Sequence, residues 1–400
     1  MSAHLLIAVT GGIAAYKVCE VISTLAKGEW EVRVVMTPHS QQFITPLTLA
    51  TLSRHPVYTD ADFWQPTHGR PLHIELGEWA DLIVIAPLSA QTLAKLAHGF
   101  ADNLLTNTIL ASTCPVLLAP AMNTDMWEQT TVQRNWHQLM GDRRYHSTPP
   151  EAGRLACDRV GMGRMAEPKD LLIHIESLLY TRGQRDLMGK HLLVTAGSTR
   201  EHFDPVRFIS NPSTGKMGIS IGMAAFHRGA TVTLIHGPLH GHELNLTGLN
   251  PIPVTNAKQM RQCVLDEFTQ AHWTIMAAAV ADMKPIHYTS HKLPKASLSN
   301  TIQLELVPDI LTELSVLKQP HQLLIGFAAQ TGDIITPALE KLRCKHLDVI
   351  VANAIDQPNC GFASDTNEAV LIGSRGHQHS IPLNSKLHLA HQLLDFIGLI

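Results

Sequence analysis

Leu5-Leu6-Ile7-Ala8-Val9-Thr10-Gly11-Gly12 near the start of the chain and Leu192-Leu193-Val194-Thr195-Ala196-Gly197-Ser198 near its middle begin alike. Each reads as a short aliphatic strand, buried on both faces, that ends in a turn of small residues. After the first, Val18, Val21, Ile22 and Leu25 follow the i, i+3, i+4, i+7 spacing of one apolar helix face. Short aliphatic runs return at 32–36, 82–86 and 116–119, and in the second half at 231–235, 274–278, 323–327 and 349–351. Helical stretches separate them. This alternation predicts an α/β chain with a doubly wound, mostly parallel sheet in each half. Between the halves, Thr181-Arg182-Gly183-Gln184-Arg185-Asp186 is polar and lacks apolar periodicity. Domains are therefore expected at 1–181 and 191–400, with 182–190 as linker.

Composition narrows the function classes. With 400 residues, 45% of them apolar, the chain is long enough for two or three cored domains. The balance of 31 basic against 34 acidic residues, net charge -3, argues against nucleic-acid binding through a broad basic face. No apolar run approaches the roughly 18 to 20 residues that cross a bilayer. The start, Met1-Ser2-Ala3-His4, has no cationic flank, so no secretory signal is expected. The 6 cysteines include no C-x-x-C pair, which favours a reducing cytoplasm over a disulfide framework. The 24 histidines are dispersed without H-E-x-x-H, so no metal ligands are assigned.

Strand ends that lead into helix N-termini make anion sites, because unpaired N–H groups and the helix dipole point at the ligand. Neither half carries G-x-G-x-x-G. The first has Gly11-Gly12-Ile13-Ala14-Ala15, and its second strand ends in Met36-Thr37 without the acid that holds an adenine ribose. NAD is disfavoured. A mononucleotide such as FMN needs neither feature, and a plain tight turn stays open. The second half has Asn211-Pro212-Ser213-Thr214-Gly215-Lys216-Met217-Gly218, where Met217 stands in place of the Mg²⁺-binding Ser or Thr of a P-loop. A Walker site is rejected. A phosphate cradle with Ser213 and Thr214 as caps, or simply a capped helix, remains.

Several segments together point further. They are Gly11-Gly12-Ile13-Ala14-Ala15-Tyr16-Lys17, His73-Ile74-Glu75-Leu76, Pro120-Ala121-Met122-Asn123 and Gly161-Met162-Gly163-Arg164-Met165. The second half adds Asp204-Pro205-Val206-Arg207-Phe208-Ile209-Ser210-Asn211, Ala277-Ala278-Ala279-Val280-Ala281-Asp282 and Gly326-Phe327-Ala328-Ala329. Over nearly its whole length the chain resembles the bifunctional phosphopantothenoylcysteine decarboxylase/phosphopantothenate–cysteine ligase family of bacterial coenzyme A synthesis. The resemblance implies a flavodoxin- or Rossmann-like FMN-binding domain followed by a Rossmann-like, CTP-dependent ligase domain. The chain would then be both a carboxy-lyase and an acid–amino-acid ligase.

The resemblance also implies roles. Loss of CO2 from an acyl cysteine needs an electron sink, which a flavin creates by oxidising the CH2–SH carbon. His73 would deprotonate or polarise the thiol, Asn123 would orient the carboxylate, and Cys157 would protonate the enethiolate. FMN would lie near Gly11, Gly12, Thr37, Ser89 and Ala90. In the ligase, CTP with Mg²⁺ would form an acyl-cytidylate that the amine of cysteine attacks. Ala278, Ala279, Asp282, Lys292, Lys295, Pro308, Asp309, Ile310, Leu311, Phe327, Lys341 and Lys345 match nucleotide contacts. Asn211 and Arg207 match residues that handle the acyl intermediate and 4′-phosphopantothenate. Three positions depart from the family pattern: Pro294 in place of a lysine, Gln330 in place of Glu, and Ala354 in place of Asp. The implied assembly is a homo-oligomer, with trimers of first domains grouped into dodecamers and second domains paired. The rival readings are a reductase or flavin prenyltransferase of the same fold, or a non-enzymatic regulatory relative. The concurrence of His73, Asn123 and Cys157 weighs against both.

Overall fold

A computed structural model describes residues 3–66, 69–156, 158–239, 246–295, 301–357 and 359–400. Cys157 therefore lies outside the described residues. The chain divides into two compact units, 1–184 and 185–400. Gly183 N–H still bonds Leu178 O in the first unit, whereas Leu187 N–H bonds Arg228 O in the second.

In the first unit, β1 (His4–Val9), β2 (Glu31–Met36), β3 (Val57–Tyr58), β4 (Leu82–Leu88), β5 (Val116–Pro120) and β6 (Tyr145–Ser147) form a parallel sheet. Its order is β3-β2-β1-β4-β5-β6. The period of two in a strand explains the unbroken aliphatic run of β1. Leu5, Ile7 and Val9 join Val18, Val21, Ile22 and Leu25 on one face. Leu6 and Ala8 join Leu72, Leu76 and Leu93 on the other. Strand order reverses at β1, so the crevice between the ends of β1 and β4 is the topological switch point where such sheets bind ligands. β7 (Glu151–Arg154) and β8 (Val160–Arg164) form an antiparallel hairpin outside the sheet.

The second unit repeats the plan. β9 (His191–Ala196) is followed by the antiparallel pair β10 (Arg200–His202) and β11 (Phe208–Ser210), then by β12 (Thr231–His236), β13 (Asn250–Pro253) and β14 (Trp273–Met276). A second small antiparallel pair, β15 (Met283–Pro285) and β16 (Leu304–Leu306), precedes β17 (Leu323–Gln330) and β18 (Val349–Ala354). β19 (Thr366–Gly373) and β20 (Gln378–Ser385) complete it. The large sheet runs β13-β12-β9-β14-β17-β18-β19-β20, and β19 and β20 join it antiparallel. The expected strand 274–278 stops at Met276. Ala278 N–H instead donates to Thr195 Oγ1 at 3.1 Å and Ala279 N–H to Gly197 O at 2.8 Å. A run of alanines lacks the β-branched side chains that favour a pleat, and the turn it makes opens the site described below.

Candidate active sites

At the first switch point a single hydroxyl joins the two strand ends. Thr10 Oγ1 donates to Pro87 O at 2.6 Å and accepts from Ser89 N–H at 3.0 Å. Ser89 then caps the helix Ala90–His98, its Oγ accepting from Thr92 N–H at 3.3 Å. On the other side of β1, Thr37 N–H donates to Val9 O at 3.1 Å. A Cβ on Gly11 would stand 2.7 Å from His39 Cβ, so glycine is what lets this turn close over the end of β1. Gly11, Gly12, Thr37, Ser89 and Ala90 thus all follow the C-terminal ends of β1, β2 and β4. A cradle of small residues with a helix N-terminus beside it fits a phosphate and its ribityl chain.

His73 lies in the first turn of the helix Leu72–Trp79, its ring edge-on to Phe63 with centroids 5.4 Å apart. Its Nδ1 is buried and has no hydrogen-bond partner among the described residues. A buried nitrogen left unpaired by the fold is available to a bound molecule. Asn123 follows β5 and caps the short helix Thr124–Trp127, with Oδ1 accepting from Asp125 N–H at 2.8 Å. The cap uses only the amide oxygen. Asn103 is a helix cap as well, its Oδ1 accepting from Thr106 N–H at 2.9 Å.

The β7–β8 hairpin lies against this segment. Met122 N–H donates to Gly163 O at 3.0 Å, and a Cβ on Gly163 would stand 2.2 Å from Met122 O. One on Gly161 would stand 2.7 Å from Thr124 Oγ1. Gly161 and Gly163 thus serve close packing of the hairpin on residues 122–124. The Arg159 guanidinium pairs with the Asp125 carboxylate near the hairpin tip. Gly163→Ala should push the hairpin off residues 122–124, and a displacement near 1 Å costs a catalytic arrangement about 100-fold. CO2 release from the substrate that the resemblance implies measures it, and an unchanged rate would detach the hairpin from the chemistry.

At the switch point of the second unit lies a cavity of about 630 Å³. Asn211, Ala278, Ala279, Asp282, Pro308, Asp309, Ile310, Leu311, Phe327, Lys341 and Lys345 all line it. Asn211 Nδ2 donates to Ala279 O at 3.4 Å and Val280 O at 3.2 Å, holding the alanine turn. Asp309 caps the helix Ile310–Leu317 and pairs with Lys345 Nζ at 2.8 Å. Burial pushes its carboxyl up, but Lys345 and Thr312 outweigh that and hold it below the ordinary value. Burial, then repulsion from Lys345, pulls the Lys341 ammonium below the usual lysine value, and Nζ donates to Phe327 O at 2.7 Å.

Three expected residues do not line this cavity. Lys292 and Lys295 are exposed. Arg207 bonds Asp204 at 2.6 Å and Leu293 O at 3.2 Å. Asp204 is fully buried and also gathers the N–H groups of Val206, Arg207 and Leu293. Arg207 thus ties its own turn to the stretch that carries Lys292 and Lys295. Conversely, Lys216, Asn353, Asn367 and Lys386 line the cavity without having been expected there. Lys216 sat inside the recognised 211–218 segment, but nothing local to Lys386 marks it. The caps also differ from expectation. Gly215 at φ 84° starts the helix Lys216–His227, while Thr214 Oγ1 turns away to donate to Phe362 O at 2.8 Å. Among the described residues, no group of three or more His, Cys, Asp or Glu could hold a metal ion.

Residues 1–179 match the flavoprotein family, and residues 187–399 match the DNA/pantothenate metabolism flavoprotein C-terminal domain. The chain is 42% identical over 396 residues to the coenzyme A biosynthesis bifunctional protein CoaBC of Bacillus subtilis, covering 99% of this chain and 96% of that protein. It is 40% identical over 395 residues to the Vibrio cholerae protein of the same name, covering 98% and 97%. A cysteine/cysteine sulfinic acid decarboxylase of unknown prokaryotic origin is 40% identical over 354 residues, covering 88% and 98%.

Proposed function

The chain belongs to the family of coenzyme A biosynthesis bifunctional proteins, and from that premise we propose a two-step activity divided between its halves. Residues 191–400 join cysteine to 4′-phosphopantothenate using CTP through an acyl-cytidylate. Residues 1–181 then decarboxylate the phosphopantothenoylcysteine to 4′-phosphopantetheine with FMN. The observation that carries this reading is the convergence of the 277–282, 306–311 and 341–345 segments on one cavity with Asn211 at its edge.

The residues then divide the work. Lys341 and Lys345 bring positive charge to the nucleotide's phosphates. Asp282, at the end of the alanine turn, contacts the cytosine or ribose of the nucleotide. In the first half, Gly11, Gly12, Thr37, Ser89 and Ala90 would hold FMN, which supplies the electron sink that the substrate lacks. His73 takes or polarises the thiol proton, Asn123 donates to the carboxylate, and Cys157 returns a proton to the enethiolate.

The reading includes a cytoplasmic setting and the trimer-based dodecamer. Exposed Ile13, Tyr16 and Trp64 on the first unit suit subunit contacts. Among the described residues no helix is long and apolar enough to cross a membrane. Incubating the whole chain with 4′-phosphopantothenate, cysteine and CTP should give 4′-phosphopantetheine, CMP and pyrophosphate by mass spectrometry. ATP in place of CTP should give none. A purified chain without flavin absorbance in the blue would count against the first half of the reading. Turnover of free cysteine, with none of the pantothenate conjugate, would favour the activity named for the third relative.

A further inference from the structure

Lys386 opens the helix Lys386–Gly398 and is 4% exposed. A helix N-terminus disfavours a cation, and burial costs an ammonium its hydration. What offsets this is a cage of backbone carbonyls. Nζ donates to Gly361 O at 3.0 Å, Phe362 O at 3.3 Å and Ser364 O at 2.5 Å. An ammonium has three protons, so the cage uses all of them and leaves none for a ligand. The same stretch is held from the opposite side. Thr214 Oγ1 donates to Phe362 O at 2.8 Å, and Lys216 Nζ donates to Ala363 O at 3.0 Å and to Asp365 Oδ1 at 2.5 Å. Residues 361–365 are therefore a strap fastened between the N-termini of two helices, and Gly361 and Phe362 form part of the cavity wall.

We propose that Lys386 is a positioning residue for the nucleotide: its ammonium fixes the 361–364 backbone as one wall of the ligase cavity without touching the ligand. The proposal rests on the cavity being the CTP site. The cage requires the protonated form, since a neutral amine has only two protons and no charge to draw three carbonyls together. Burial, then repulsion from Lys216, lowers the Lys386 pKa to about 8 against the opposing pull of Asp365 and Cys360. Among the described residues, those three are the charged or titratable groups that act on it. The strap is thus held below that pH and loosens as pH rises through it.

The test is CTP binding to the whole chain by calorimetry at pH 7 and pH 9. For a group titrating near 8 whose protonated form is required, the Kd should weaken about tenfold across that interval. Lys386→Met, which keeps the length of the stem and loses the cage, should bind CTP about tenfold more weakly at pH 7 and show no such step. Lys386→Arg, which keeps its charge at both pH values, should bind CTP without the step, so a misfolded Lys386→Met cannot hide the answer and the titration of Lys341 is kept apart. A parent that binds CTP equally at both pH values overturns the inference alone, as does either variant keeping the pH step, or Lys386→Met binding like the parent at pH 7. A parent that binds no CTP at either pH overturns the ligase reading and this inference with it.

Discussion

Asn211→Asp is expected to stop ligation between its two steps, with pyrophosphate released and the acyl-cytidylate accumulating. The Asn211 amide donates to Ala279 O and Val280 O. An aspartate carboxylate has no proton to offer those oxygens and would confront them with negative charge. It would also release the alanine turn that Asn211 holds in the cavity wall. Loss of one such positioned donor typically lowers a rate about 100- to 1,000-fold. Rapid-quench sampling with mass detection should find the cytidylate in the variant and only traces in the parent. A variant that forms the amide bond at the parent's rate would take Asn211 out of the mechanism.

The other large effect is expected in the first half. Cys157→Ser should release CO2 and lose flavin absorbance once, then fail to make 4′-phosphopantetheine. A thiol of pKa about 8.5 can give a proton to an enethiolate, while a serine hydroxyl is a far weaker acid. General acid catalysis of this kind contributes about 100- to 10,000-fold, and the variant should lose most of it. Stopped-flow absorbance and product analysis in one experiment separate the two stages. Normal product formation by Cys157→Ser would assign the proton to another group. Gly163→Ala differs in kind, because it should slow CO2 loss itself by shifting the hairpin.

Much of the fold was legible in the sequence because the signals for it are local. A strand buried on both faces must be aliphatic at every position, so the runs beginning at Leu5 and Leu192 announced parallel sheets. The helix face of Val18, Val21, Ile22 and Leu25 packs on β1 as its spacing required. The antiparallel extension by β19 and β20 was not legible, since β20 is mostly exposed and carries no unbroken apolar run. In the site, the alanine turn and the 308–311 segment were found by resemblance. Their convergence with Lys341 and Lys345 follows from strand order and could not be read from spacing.

The sequence by itself determined two α/β halves, the small-residue turns where ligands would sit, and the family whose motifs those turns carry. Only the tertiary structure decided the strand order that sets β1 beside β4 and β9 beside β14, and so where each crevice opens. It also tied Arg207 to buried Asp204, apart from the cavity lining, and brought Lys386 to carbonyls 22 to 25 residues away. The reason is physical. Periodicity and turn chemistry act between neighbours in the chain, whereas a buried charge is defined by whichever distant backbone groups the fold brings around it.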